Sequence, residues 1–105
     1  MNRRSHLQNQ SNIAVIGATS SLAQALCRAF AARGHALILA GRDEYELGLL
    51  ANDLNVRYGT NCRVVLANII APDFSADQLL SDIGDFDEMV IALGDLPKEG
   101  MFDNQ

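Results

Sequence analysis

The chain has 105 residues, of which 49% are hydrophobic and 20% are charged, and this composition is typical of one globular domain. An enzyme that joins a dinucleotide-binding fold to its own catalytic residues usually needs about 200 residues or more. If the sequence indicates such an enzyme, a chain of this length can therefore only be part of one. The formal net charge of −5 argues against binding to nucleic acid, where a basic face supplies most of the affinity.

The charge is distributed unevenly along the chain. Residues 1–63 contain seven arginines against four acidic residues, a net charge of +3, whereas residues 64–105 contain nine acidic residues against one lysine, a net charge of −8. We therefore expect an anionic ligand to bind against the first half of the chain. Residues 1–11 are polar and have no periodicity, so they are predicted to form a flexible arm.

From residue 12 onward, short apolar runs alternate with amphipathic stretches that have helical spacing. The apolar runs predict buried strands at 13–16, 36–40, 62–67 and 89–93. Helices are predicted between them, with caps at one of Thr19, Ser20 or Ser21, at Asp43 and at Ser75. The residues expected to face the core are Leu22, Leu26, Ala29 and Phe30 in the first helix, Leu47, Leu50, Leu54 and Tyr58 in the second, and Leu79, Leu80 and Ile83 in the third.

This alternation, with every connection too long for a hairpin, predicts an α/β fold with parallel strands. We expect a Rossmann-like, three-layer α/β/α arrangement of four parallel strands in the order 3-2-1-4, with helices on both faces of the sheet. Ligands of such folds bind at the carboxyl ends of the strands, where the chain reverses direction across the sheet. The residues at those ends are Gly17, Gly41 and Arg42, Asn68, and Gly94.

The segment after the first strand reads Gly17-Ala18-Thr19-Ser20-Ser21-Leu22-Ala23. A glycine directly after a buried strand allows a sharp turn, and the amides at the start of the next helix then form an anion site suited to a pyrophosphate. The segment is not a Walker phosphate loop, because that loop needs a lysine and the one lysine of the chain is Lys98. A tight strand-to-helix turn without a ligand is the alternative.

The second strand ends in Gly41-Arg42-Asp43. Sites selective for NAD present an acidic residue there to the ribose hydroxyls, whereas sites for NADP present an arginine to the 2′-phosphate. Arg42 supplies a fixed cation with forked donors, so we expect NADPH to be preferred over NADH. The alternative is that Arg42 is a surface residue paired with Glu46, four positions further along.

The stretch IAVIGATSSLAQALCRAFAARGHALILAGRD resembles the beginning of the short-chain dehydrogenase/reductases, whose glycine motif is TGxxxGxG. Gly17 matches the first glycine of that motif, and Ser21 and Ala23 replace the second and the third. The resemblance covers roughly residues 12–97. It implies an NADP(H)-dependent oxidoreductase that acts on a carbonyl or an alcohol.

The resemblance also implies roles for residues at the later strand ends. Asn68 and Ile69 stand where the family has an Asp and an apolar residue that frame the adenine ring. Leu93 and Gly94 belong to the segment that stands in place of the family's NNAG motif. The expected cofactor-binding residues are therefore Gly17, Thr19, Ser20, Ser21, Leu22, Arg42, Asn68, Ile69, Leu93 and Gly94.

The catalytic residues of the family are absent from this sequence. Family catalysis uses Tyr-xxx-Lys with an upstream Ser, but neither Tyr45 nor Tyr58 is followed by a lysine four positions later. We predict that residues 12–97 are the cofactor-binding half-domain of such an enzyme, truncated relative to the complete fold, with residues 98–105 as a tail. The alternative is a non-catalytic NADP(H)-binding sensor or interaction module complete at this length, which a stop codon directly after Gln105 would favour.

Other classes of site fit the sequence less well. A methyltransferase that uses S-adenosylmethionine needs a carboxylate at the second strand end, where Gly41 and Arg42 stand. A flavodoxin-like phosphoacceptor domain needs an aspartate at the third strand end, where Asn68 stands. Cys27 and Cys62 are far apart in sequence and form no CxxC motif, so we expect both to be reduced packing residues and no metal site.

The fourth strand is apolar throughout, as a strand covered on both faces would be, and nothing in this sequence follows it to cover it. We therefore expect a homo-oligomer that forms through the exposed side of this strand. No stretch approaches 18 uninterrupted apolar residues, and the N-terminus lacks the apolar segment of a signal peptide. These features predict a cytoplasmic protein without membrane contact.

Overall fold

The structure is a computed structural model that describes residues 10–92. Four parallel strands pair in the order β3-β2-β1-β4. The predicted Rossmann-like fold and its strand order are confirmed. The elements in chain order are β1 (Asn12–Ile16), α1 (Ser21–Ala32), β2 (Ala36–Gly41), α2 (Glu44–Tyr58), β3 (Cys62–Leu66), α3 (Ala76–Ile83) and β4 (Glu88–Ile91).

The two central strands are buried on both faces because successive side chains of a strand point to opposite sides of the sheet. Ile13 and Val15 of β1 pack into one apolar cluster with side chains of α1 and α2. Ala14 and Ile16 pack into a second cluster with α3 residues on the opposite face. The helices therefore cover both faces of the sheet, which explains why β1 and β2 read as uninterrupted apolar runs.

Each helix begins after a side chain that accepts a hydrogen bond from the N–H group three residues later. The three acceptors are Ser20, Asp43 and Ser75, at distances of 3.0–3.1 Å. Each bond satisfies one of the free amides of a helix N-terminus, which is why Ser and Asp are favoured there. Of the three possible caps for α1, Ser20 is the one in use.

The core-facing side of α1 differs from the prediction. The helix buries the small residues Ala23, Cys27 and Ala31, whereas Leu22 is 67% exposed and Ala29 is exposed. The predicted and the observed core faces both have helical spacing. The observed face is shifted by about one residue along the helix relative to the predicted one. Small side chains at four-residue intervals let the helix axis approach the sheet closely. Phe30 is partly buried and packs against the same cluster, and Leu26 is also partly buried.

The predicted core faces of α2 and α3 need smaller corrections. Leu47, Leu50 and Leu54 of α2 are buried as expected, but Tyr58 is 36% exposed at the last turn of the helix. In α3, Leu79 and Ile83 are buried, while Leu80 is exposed. Residues 79 and 83 are about one helical turn apart and face the sheet together. Leu80, one position after Leu79, therefore points to a different side of the helix.

The strand ends also differ slightly from the prediction. β3 ends at Leu66, one residue before the predicted limit, although the N–H group of Ala67 still donates to the Gly41 carbonyl at 2.7 Å. β4 begins one residue early, at Glu88, because its backbone pairs from that point with Ile13. The predicted strand residue Leu93, the tail 98–105 and residues 1–9 of the predicted arm lie outside the described residues. Ser11 is hydrogen bonded to His35 and Ala36.

Candidate functional site

A cleft of about 480 Å³ opens at the carboxyl ends of the strands. This volume lies within the range of small-molecule and cofactor sites, and the position is where ligands bind in doubly wound sheets. The segments after β1, β2 and β3 and the end of β4 all contribute to its wall. The lining residues are Ile16, Gly17, Thr19, Ser20, Ser21, Gly41, Arg42, Ala67, Asn68, Ile69, Ile70 and Ala92.

Residues 17–20, here called the β1–α1 loop, are held between β2 and β4. The N–H groups of Gly17 and Ala18 both donate to the Ala40 carbonyl, at 2.8 and 3.3 Å. Gly17 has φ +83°, and a Cβ atom at this position would lie 1.8 Å from the carbonyl oxygen of Ala92. Only glycine allows both this backbone conformation and this close approach.

The start of α1 leaves amide donors free beside the loop. Ser20 Oγ accepts from the N–H of Ala23, and the Ser20 carbonyl accepts from the N–H of Gln24 at 2.9 Å. The N–H groups of Thr19, Ser21 and Leu22 have no partner among the described residues. Free amides at a helix N-terminus, together with the helix dipole, favour an anion at this point.

Arg42 follows β2 and lies in the wall of the cleft. The alternative interpretation, in which Arg42 pairs with Glu46, is wrong, because Asp53–Arg57 is the one ion pair within residues 10–92. Asp43, the acidic residue next to Arg42, is not part of the wall, and its carboxylate instead accepts the N–H of Glu46. At the end of β2, the cleft therefore contains an arginine that has no carboxylate partner among residues 10–92.

The segment after β3 folds into a turn around Asn68. The side-chain oxygen of Asn68 accepts from the N–H of Ile70 at 3.2 Å, and its backbone carbonyl accepts from the N–H of Ala71 at 3.1 Å. This arrangement leaves the side-chain NH₂ group of Asn68 without a partner among residues 10–92. Ile69 and Ile70 supply apolar surface to the same wall, so the wall combines amide donors with apolar side chains.

Most of the predicted cofactor-binding residues lie together in this wall. Leu22 is the exception, because it does not line the cleft and its side chain is 67% exposed. Leu93 and Gly94 lie outside the described residues. The residues brought together are Gly17, Thr19, Ser20, Ser21, Arg42, Asn68 and Ile69.

The wall also contains residues that were not predicted as site residues. Ile16 is found there because it is the last residue of the buried strand β1, and Ala92 because it directly follows β4, so both lie at the carboxyl edge of the sheet. Gly41 and Ala67 are small residues next to predicted ones. Ile70 is 73% exposed, and no sequence signal distinguishes it from a surface residue of an ordinary turn.

Catalytic and metal-binding groups are not concentrated at the cleft. Residues 10–92 contain no cluster of three His, Cys, Asp or Glu side chains placed to hold a metal ion. Cys27 and Cys62 are free thiols in the core between the sheet, α1 and α2. Burial raises the pKa of Cys27 to about 12 and also raises the pKa of Cys62, so both thiols stay protonated near neutral pH.

Within the described part of the chain, no helix is both long enough and apolar enough to cross a membrane. No protein-family model matches the sequence.

Individual proteins are similar to this chain. The 7β-hydroxysteroid dehydrogenase of Collinsella aerofaciens is 34% identical over 58 residues, which are 55% of this chain and 22% of that protein. A solved structure of a 7β-hydroxysteroid dehydrogenase is 27% identical, with a TM-score of 0.68 over 79% of this chain and 33% of the other.

A short-chain dehydrogenase from Sphingobium yanoikuyae, solved in complex with NADPH, is 31% identical, with a TM-score of 0.56 over 58% of this chain and 24% of that one. The chain therefore spans between about a fifth and a third of the length of these relatives. The four-stranded parallel sheet and its 3-2-1-4 order are common to the chain and to these structures. In sequence and in fold, the chain is similar to the N-terminal part of short-chain dehydrogenase/reductases.

Proposed function

We propose that this chain binds NADP(H) in the cleft at the strand ends, as the cofactor-binding portion of an oxidoreductase. The observation that carries the proposal is the placement of Arg42, unpaired among the described residues, in the same wall as the free amides of Thr19 and Ser21. Two separate anion-binding features in one cleft match a ligand that carries two separate phosphate groups. NADPH is such a ligand, because it has a pyrophosphate and a 2′-phosphate.

Each part of the cofactor has residues of matching chemistry. The pyrophosphate would bind the amides and hydroxyls of residues 19–22 at the start of α1. The 2′-phosphate would bind the guanidinium of Arg42, whose forked donors suit a phosphate. The adenine ring would lie against Ile69, with the free NH₂ group of Asn68 as a donor to its edge.

The preference for NADPH over NADH is supported by the absence of acidic side chains among the described residues that line the cleft. In NAD-selective sites, an acidic side chain at the end of the second strand accepts hydrogen bonds from the ribose hydroxyls. Here the acidic residue next to Arg42 in sequence is Asp43, which caps α2 instead of lining the cleft. A 2′-phosphate would therefore approach Arg42 without repulsion from a neighbouring carboxylate in the wall.

The proposed activity of the whole protein rests on the similarity to short-chain dehydrogenase/reductases. Bound NADPH supplies hydride to a carbonyl carbon, and the reverse reaction oxidises an alcohol. In this sequence neither tyrosine precedes a lysine by four positions, so the residues of this chain bind and orient the cofactor but deliver no proton. We infer that residues 12–97 are the cofactor-binding unit. A non-catalytic NADP(H)-binding sensor or interaction module remains the second candidate, and binding without carbonyl reduction by the natural full-length product would favour it.

The cofactor assignment is tested by replacing Arg42. We expect R42A to weaken NADPH binding by about 10- to 100-fold, because a hydrogen-bonded charge pair is lost, and to leave NADH binding unchanged. The measurement is a titration with each cofactor, followed by the fluorescence of the reduced nicotinamide. The matched control is R33A, since Arg33 is also an exposed arginine but lies at the far end of α1 from the cleft. Equal losses for NADPH and NADH in R42A, or tighter binding of NADH by the unmodified chain, would contradict the NADP assignment.

A further inference from the structure

Gln24 of α1 connects the first turns of that helix to the β1–α1 loop. Its side-chain Nε2 donates to the carbonyl oxygen of Thr19 at 2.8 Å. Its backbone N–H donates to the carbonyl oxygen of Ser20 at 2.9 Å. One residue therefore holds two consecutive carbonyl groups of the loop, and both loop residues line the cleft.

The neighbouring peptide groups of the loop are held without Gln24. The amides of Gly17 and Ala18 donate to Ala40 in β2, and the amide of Ser20 donates to the Gly17 carbonyl at 3.3 Å. The Thr19 carbonyl is different, because Gln24 is its one hydrogen-bond partner among residues 10–92. Loss of the Gln24 amide would therefore free this one carbonyl and leave the rest of the loop anchored.

The direction of the Thr19 carbonyl matters for an anionic ligand. A carbonyl oxygen carries partial negative charge, so it repels a phosphate that lies next to it, whereas an amide N–H attracts one. The bond to Gln24 holds this oxygen on the α1 side of the loop. We propose that Gln24 is a positioning residue for the cofactor, which keeps the Thr19 carbonyl away from the phosphates and so maintains the anion-binding form of the loop. The proposal rests on the proposed function.

The proposal is tested by removing the donor while keeping the length of the side chain. Q24M should weaken binding of NADPH and of NADH alike, by about 2- to 10-fold, because one exposed hydrogen bond that orders the loop is lost. Q24E should weaken binding further, because an ionised carboxylate cannot donate to the Thr19 carbonyl and adds negative charge beside the loop. The ratio of NADPH to NADH affinity should stay constant, in contrast to the effect of R42A.

A second glutamine provides the matched control. Gln78 of α3 also donates from Nε2, to Asp82 Oδ1 at 2.9 Å, but it does not line the cleft. Q78M should leave both affinities unchanged. Thermal unfolding of Q24M and Q78M should occur at the same temperature within a few degrees, because both bonds are exposed. A role for Gln24 in stability alone would instead lower the unfolding temperature of Q24M and leave its affinities unchanged.

The outcomes separate the two proposals. If the unmodified chain binds NADPH and both Q24M and Q24E bind it equally well, the role of Gln24 is wrong and the proposed function stands. If the unmodified chain binds neither NADPH nor NADH, the proposed function fails, and the role of Gln24 fails with it.

Discussion

At the scale of single residues, Gly17 is required by the backbone around it as well as by any ligand. Its carbonyl and amide are both hydrogen bonded, its φ is +83°, and the Ala92 carbonyl occupies the space that a Cβ atom would need. If glycine were needed here only to make room for a ligand, a Cβ atom at this position would point into the cleft. In the structure this Cβ atom would instead point into the protein, against the backbone of Ala92.

We therefore expect G17A to destabilise the fold by more than about 2 kcal/mol, because the strained backbone costs about 1–2 kcal/mol and the backbone near Ala92 must also move. The matched control is G34A. Gly34 has φ +90° but no atom within 4 Å of the position of a Cβ, so its replacement should cost the backbone strain only. Urea denaturation of the two variants measures the difference. Equal destabilisation would show that the contact with Ala92 is unimportant.

Cys27 predicts how stability depends on alkaline pH. Burial raises the pKa of this thiol from 9.0 to about 12, so above about pH 9 the unfolded chain releases a proton that the folded chain keeps. The free energy of unfolding should therefore fall as pH rises from about 9 to about 12, by at most about 1.4 kcal/mol per pH unit from this residue. Urea denaturation across this range should give a shallower slope for C27A than for the unmodified chain. Identical slopes would contradict the raised pKa.

At the scale of elements, α1 shows where sequence patterns lose precision. Its existence and the short segment that contains its cap follow from local sequence, because those features depend on neighbouring residues. Its buried face depends on how close the helix lies to the sheet. Ala23, Cys27 and Ala31 permit a close approach, and hydrophobicity alone gives Leu22 a greater weight than these smaller residues. The distance between helix and sheet depends on tertiary packing, so the hydrophobic periodicity of the sequence does not predict it.

The candidate site was more predictable than that helix face. Each strand of a parallel sheet delivers its carboxyl end to the same edge, so the residues after β1, β2 and β3 meet once the strand order is known. Arg42 and Asn68 could be placed by this rule alone. Ile70 could not, because its position in the wall depends on the turn that Asn68 forms with its side-chain oxygen.

At the scale of the whole molecule, the strand order determines which features of the cleft combine. The order β3-β2-β1-β4 puts the first three strand ends side by side, so Arg42 lies between the loop after β1 and the turn at Asn68. The end of β4 lies beside the β1–α1 loop, where the N–H of Ala92 donates to the Ile16 carbonyl at 2.8 Å. The groups proposed to bind the phosphates, Arg42 and the amides of Thr19 and Ser21, therefore all come from residues 1–63, the part of the chain with net positive charge.

The outer edge of β4 carries the last prediction. Within residues 10–92, β4 pairs with β1 alone, and Ile91 is 60% exposed on this strand. An unpaired strand edge with an apolar side chain favours association with a second copy. We expect the chain to sediment as a dimer or a larger assembly, and I91K to shift it toward the monomer because the lysine would have to be buried in the contact.

The control for this prediction is V56K, since Val56 is 78% exposed on α2, away from β4. V56K should sediment like the unmodified chain. Sedimentation velocity over a wide range of concentrations measures both variants. If the unmodified chain is a monomer at the highest concentration, it does not associate. If the assembly dissociates in V56K but persists in I91K, the contact lies on α2, because a charged side chain disrupts a contact only from within it.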